Sequence, residues 1–214
     1  FLPGPFAGAQ LLALGAEVVK LEPPSGDPGR HLPDELFAMN NRGKKSVCVD
    51  LKAPGAGAFV QRLVADFDVV LEGFRPGVAA RLGVDYDSLK AIKPDLIYCH
   101  TRGHERGPRE KLPGNDQTGA CLAGVEWEDG GCARGGRPIW SLTNMGDTGN
   151  GFLAAIAICQ ALYEREKTGR GQFCETAIVN AQMFNTSYAA ARPDGSRIER
   201  PLLDAMQTGF SAGV

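Results

Sequence analysis

The residues best suited to chemistry lie in the run Asn144-Met145-Gly146-Asp147-Thr148-Gly149-Asn150-Gly151, where one acid sits among three glycines ahead of a long apolar-periodic stretch. Asp is a favoured helix N-cap, so one reading of Asp147 is a capping carboxylate. The glycines support another. With no side chains on either side, a bulky substrate could reach the oxygens of the acid. The positive end of the following helix would hold the carboxylate ionised, and an ionised, accessible carboxylate is a candidate nucleophile. The two roles are compatible.

A second set of candidates is cationic. Arg30 follows the loop Ser25-Gly26-Asp27-Pro28-Gly29, Lys44 and Lys45 precede an apolar run, Arg75 precedes Pro76-Gly77, and Arg81 lies one turn beyond. Loops between strands and helices gather at sheet edges, where phosphates bind to helix N-termini and to Arg or Lys. As a set these residues suit a ligand with several phosphates; singly they read as solvated turn charges. Glu22 closes a helix–strand unit of the dinucleotide-binding kind, but no GxGxxG accompanies it, so a packing unit without NAD fits better. His100 and His104 stand at i, i+4, a metal-binding spacing on a helix. Arg102-Gly103 between them favours a loop, and no metal site is expected. No GxSxG and no Ser/His/Asp order stands out.

The elements that must position these groups alternate. A small, apolar helix over 6–15, closed by Gly15, precedes a strand over 17–22. Strands follow over 46–51, 68–72 and 96–100, separated by helices over 56–67, 78–82 and 88–92. Short strands alternating with helices predict an α/β domain built on a parallel sheet, since parallel strands need such crossovers. Beyond residue 101 the chain reads as a loop over 101–114, a helix over 117–125, a glycine-rich loop over 127–138 and a long helix over 148–167. Residues 172–177 open another strand or helix.

Composition narrows the partners. The 214 residues suit one large domain, and a net charge of -2 gives no global attraction to nucleic acid or an anionic membrane. Any anionic ligand must be met by a local cluster of Lys and Arg. The six cysteines form no CxxC pair, and several sit in apolar runs, which points to a reducing, cytoplasmic setting. The apolar run 152–162 is too short to span a bilayer. The chain opens in a turn and stops without a closing element, so it reads as a piece of a longer polypeptide.

The motifs together resemble a known family. PGPFAGAQLLALGAEVVKLEPPSGDPGR, NNRGKKSVCVDLK, VVLEGFRPGVAARLGVDYDSLKAIKPDLIYCHTRGHERGP and GDTGNGFLAAIAICQALYEREKTGRGQ are similar to successive segments of the family III coenzyme A transferases, the CaiB/BaiF group that includes formyl-CoA transferases and 2-methylacyl-CoA racemases. The likeness covers almost the whole chain and is weakest over 120–140. It rests on the combination EGFRPG, GDxGxG and ERxKTGRGQ rather than on any one of them.

The resemblance implies a Rossmann-like parallel-sheet large domain over 1–214, with an N-terminal strand, a small domain and a C-terminal return segment absent from this chain. It implies an interlocked homodimer acting on an acyl-CoA and a small carboxylic acid, with coenzyme A as substrate and no permanently bound cofactor. Asp147 matches the catalytic Asp that forms aspartyl anhydride and aspartyl-CoA intermediates. Arg30 and Arg81 match positions that hold the CoA nucleotide, with Lys52 and Arg75 as neighbours. The racemase branch uses a His within Gly-His-Asp; here the stretch is Gly114-Asn115-Asp116. An Asn amide does not titrate usefully, so racemisation by that pair is disfavoured, while Asp116 remains as an active-site acid or structural contact. Ala9 stands where formyl-CoA transferases carry Gln, which argues against a formate/oxalate pair. A non-catalytic CoA-binding paralogue is the remaining alternative.

Overall fold

The computed structural model describes residues 2–132, 135–140, 145–185 and 192–196. Helix α1 (Pro3–Ala13) begins with prolines in its first turn, where a missing N–H breaks no helical bond, and ends before Gly15 at φ 100°. There follow β1 (Val19–Glu22), a 3-10 turn (Pro28–His31), α2 (Asp34–Asn41) and β2 (Lys45–Cys48). Next come α3 (Ala56–Leu63), β3 (Val69–Glu72), the short α4 (Val78–Leu82) and α5 (Tyr86–Lys90), and β4 (Ile97–Arg102). The second half holds α6 (Asp116–Ala123), α7 (Val125–Asp129), α8 (Met145–Thr168), β5 (Gln172–Ala177) and α9 (Ile178–Asn185).

The alternating α/β pattern stands as predicted, and among the described residues every strand pairing is parallel. β1 pairs with β2, and β3–β4–β5 form a second sheet. The undecided stretch 172–177 is a strand, because its alternation fits beside β4. The long helix starts earlier than expected, at Met145. Residues 127–129, expected in a loop, belong to α7, and α2 and α9 go beyond the expected elements. Both are only eight residues long and carry little amphipathic signal.

Side-chain alternation divides the larger sheet. On one face Leu71, Cys99 and Cys174 align across β3, β4 and β5 and pack beneath Ala7 of α1 and Ala154 and Ile158 of α8. On the other face Val70, Tyr98 and Phe173 align and meet Val64, Tyr86 and Leu89. α1 lies directly on α8, with Phe6 edge-on to Phe152 at 4.9 Å between ring centroids. One edge of β1 and one edge of β3 have no partner strand among the described residues. Val19, Lys20, Leu21, Val69 and Leu71 line the same two hollows, of about 330 and 1170 Å³, so an open seam separates the two sheets.

Candidate active site

Asp147 occupies the first turn of α8 rather than its N-cap; Asn144, just ahead of the helix, lies outside the described residues. The capping role falls instead to another helix. The Asp147 N–H donates to Asp116 Oδ2 at 2.7 Å, and Gln182 Nε2 donates to Asp116 Oδ1 at 3.1 Å. An α-helix leaves its first N–H groups without internal partners, and a carboxylate from α6 satisfies one of them here. Asn115 is the N-cap of α6: its Oδ1 accepts the Thr118 N–H and the Thr118 hydroxyl, both at 2.9 Å. Asp147, Asp116 and Asn115 are thus brought together.

The electrostatics of Asp147 run opposite to the expectation from the helix dipole. Burial, followed by the negative charge of Asp116, pushes its carboxyl up to about 6. A half-buried acid loses solvation that a helix end, effective only over a turn, does not replace. The flanking glycines also serve another purpose. A Cβ on Gly146 would lie 2.8 Å from Gln182 and Ile178, one on Gly149 3.3 Å from Ala181, and one on Gly151 2.8 Å from Phe6. Those spaces hold α9 and α1, so the glycines permit close helix packing rather than substrate approach. A similar close crossing joins Gly103 and Gly114, where a Cβ on either would stand 2.6 Å from the other's Cα. That crossing places the end of β4 beside Asn115 and Asp116.

Asp147 opens onto the larger hollow, whose lining includes Gly4, Pro5, Lys44, Gly103, Gly114 and Asn115. The 1170 Å³ covers both the space before Asp147 and the seam between the sheets, so it is not the volume of one ligand site. Lys44 is tethered there by donation to Pro5 O at 2.6 Å, and burial, then the charge of Lys20, pushes its ammonium down to about 8. Its place in the cleft was not legible from its position in a run of turn cations.

The four expected phosphate contacts are all exposed, and none lines the Asp147 cleft. Arg30 sits in the 3-10 turn and grips Glu22 with two bonds of 2.9 and 2.8 Å, its guanidinium lying 4.7 Å from the centre of the Phe37 ring. Lys52 is in the turn after β2, Arg75 in the turn after β3, and Arg81 in α4. Arg75 lines a separate pocket of about 520 Å³ with Tyr86, His100 and Arg106. Glu22 also accepts the Asp27 N–H and the Ser46 hydroxyl, and the Arg30 bonds lead in holding its carboxyl down at about 2. Both its oxygens are taken, so Glu22 is not free for a dinucleotide ribose.

The sequence reading missed a charged row across the larger sheet. Glu72, His100 and Glu175 are register partners, each near the C-terminal end of its strand. His100 Nε2–H donates to Phe74 O at 2.9 Å, and Glu175 accepts from Arg102 and Arg106, each at 2.9 Å. Burial raises the Glu72 carboxyl. An ionisable residue near the end of three apolar strands was the available signal. His104, in the loop beyond β4, meets Pro113 O at 3.1 Å, so the two histidines do not form a helical pair.

The sequence pattern of CoA-transferase family III matches residues 1–204. Similar proteins include a succinate–glutarate CoA-transferase of Agrobacterium fabrum, 33% identical over 196 residues, covering 85% of this chain and 48% of the relative. A succinyl-CoA–D-citramalate CoA-transferase of Chloroflexus aurantiacus is 36% identical over 187 residues, covering 83% of this chain and 46% of its own. The crystal structure of Rv3272 from Mycobacterium tuberculosis superposes with a TM-score of 0.79 at 35% identity, covering 87% of this chain and 52% of that one. The chain spans about half the length of the curated relatives it matches.

Proposed function

We propose, for a chain that belongs to CoA-transferase family III, that it carries the nucleophile of an enzyme moving coenzyme A between an acyl-CoA and a small carboxylic acid. The observation that carries this reading is Asp147, a half-buried carboxyl in a helix first turn that opens onto a cleft. With its carboxyl at about 6, roughly nine in ten copies are ionised at pH 7. A carboxylate stripped of some solvation is a stronger nucleophile than one in water.

An Asp147 oxygen attacks the thioester carbonyl, the C–S bond breaks, and CoA thiolate leaves an acyl-aspartyl anhydride. The thiolate attacks the aspartyl carbonyl, freeing the donor acid and forming an aspartyl-CoA thioester. The acceptor carboxylate displaces the thiolate to give a second anhydride, and thiolate attack on the acceptor's carbonyl yields the new acyl-CoA and restores Asp147. Covalent catalysis thereby divides one difficult exchange into easier steps. Arg30, Lys52, Arg75 and Arg81 supply cationic contacts for the CoA phosphates; all four are exposed, so an anion at the surface can reach them, Arg30 while it holds Glu22. Relatives named for succinate, glutarate and D-citramalate favour a small acid as acceptor. The working unit is an interlocked homodimer in a reducing, cytoplasmic setting, in keeping with free cysteines at 48, 99, 121, 132, 159 and 174.

The racemase reading is weaker because Asn115 uses its oxygen to cap α6 and its amide does not titrate as a general base. The deciding experiment incubates the full-length protein with succinyl-CoA, traps with hydroxylamine or borohydride, and maps the product by mass spectrometry. Modification at Asp147 is expected. CoA transfer by Asp147→Ala at the wild-type rate would end this reading.

A further inference from the structure

Resting on the reading of Asp147 as nucleophile, we propose that Gln182 is a positioning residue for CoA transfer, acting through Asp116 to hold the first turn of α8. The three groups form one chain of contacts. Gln182 Nε2 donates to Asp116 Oδ1 at 3.1 Å, and Asp116 Oδ2 receives the Asp147 N–H at 2.7 Å. Gln182 is 0% exposed and Asp116 2% exposed, so water does not compete for either contact. Each oxygen of the acid meets an N–H donor, an arrangement that fixes its plane and leaves the Asp147 backbone one place to go.

A second geometric fact points the same way. Gly146, next to Asp147, is where the Gln182 side chain passes; a Cβ there would stand 2.8 Å from Gln182 Cγ and Nε2. α9 is itself tied to the end of β4 by the Val179 N–H donating to Gly103 O at 3.2 Å. Gln182 therefore reaches Asp116 from an anchored helix.

Among the described residues, the helices packed on the start of α8 bring few charges to Asp147. α1 and α9 contain no ionisable side chain, and α6 contains Asp116 and the exposed Cys121. Cys99 and Cys174 lie beneath Ala154 and Ile158, farther along α8. Tyr98, His100 and Arg102 of β4 and Glu175 of β5 belong to the opposite face of the sheet, where Glu175 holds Arg102 and Arg106. His104 is engaged by Pro113 O. Among the described residues Asp116 is the charge bonded to the Asp147 backbone, with Lys44 lining the same hollow, and Gln182 orients Asp116.

The test measures succinyl-CoA to glutarate transfer by the full-length protein across pH 5.5–8. Gln182→Leu removes the donor; kcat falls about tenfold or more while KM for succinyl-CoA stays within about twofold, because the turn that carries the nucleophile loosens. Gln182→Glu has the same shape. Protonated, it donates its O–H to Asp116 and restores kcat at pH 5.5; ionised, it repels Asp116, so its kcat declines with rising pH while wild-type kcat rises. A side chain that only fills space would give neither the kcat-selective loss nor the inverted pH profile. Unchanged kcat in Gln182→Leu, or a wild-type pH profile in Gln182→Glu, overturns the proposal, and the second variant decides if the first does not fold. Adduct formation at Asp147 in wild type is followed in parallel. Its presence beside an unaffected Gln182→Leu overturns the positioning role alone; its absence overturns the nucleophile and the positioning role together.

Discussion

Replacing Asp116 by Asn probes the acidity of Asp147 most directly. The Asp147 carboxyl stands at about 6 against an ordinary 3.8, which amounts to about 3 kcal/mol in favour of the proton. Burial is the larger cause and the Asp116 charge the second. Asp116→Asn removes that charge yet keeps an acceptor for the Asp147 N–H, and Gln182 can turn its amide to meet the new side chain. The charge-driven part of the rise, about one pH unit or less, disappears while the burial part stays. In a pH profile of kcat/KM for acyl-CoA, the acid limb therefore moves down to a midpoint of about 5, and the plateau above pH 7 falls by less than about tenfold. Stability shifts in step. A carboxyl raised in the folded state contributes stability below pH 3.8 that is lost as pH rises through about 6. Asp116→Asn loses less over that window, which urea unfolding at pH 4, 5 and 7 measures. An acid limb that stays at 6 or moves higher would refute the assignment of Asp116 as a source of the shift.

Gly151→Ala places a methyl 2.8 Å from Phe6 and 2.9 Å from Pro3 O; separating α1 from α8 should cost about 1–3 kcal/mol and lower Tm by about 3–10 °C, with an unchanged melting curve counting against it. Arg30→Gln removes the leading cause of the low Glu22 carboxyl. Wild-type stability due to that ion pair is present above pH 4.5 and lost as pH falls towards about 2, so acid titration monitored by circular dichroism should show wild type and variant differing at pH 5 and converging near pH 2.

Much of the fold was legible because strands such as 68–72 and 96–100 are short, apolar and separated by helical spacing. The nucleophile candidate was legible because an acid among glycines at a helix start is an unusual local pattern. Its surroundings were not. Asp116 lies 31 residues from Asp147 and Gln182 lies 66 from Asp116, and no local rule joins them. The helix dipole suggested an ionised acid, but burial depends on how α1, α6 and α9 close around α8. The glycines were ambiguous in principle, since the same absence of side chains admits a ligand or a neighbouring helix. Arg30 read as a free cation because its partner Glu22 lies across a loop, and a loop's path is not written in its composition.

The seam between β1 and β3 has a consequence for handling the protein. Two rows of peptide N–H and C=O groups border a trough lined with Val19, Leu21, Val69 and Leu71. An extended apolar segment running parallel to both would complete two hydrogen-bond ladders at once, joining the sheets into a single surface. No strand fills it among the described residues, and a pair of open edges is a template for foreign backbone, so a parallel guest peptide should disperse any clumping of the protein that sets in as concentration rises.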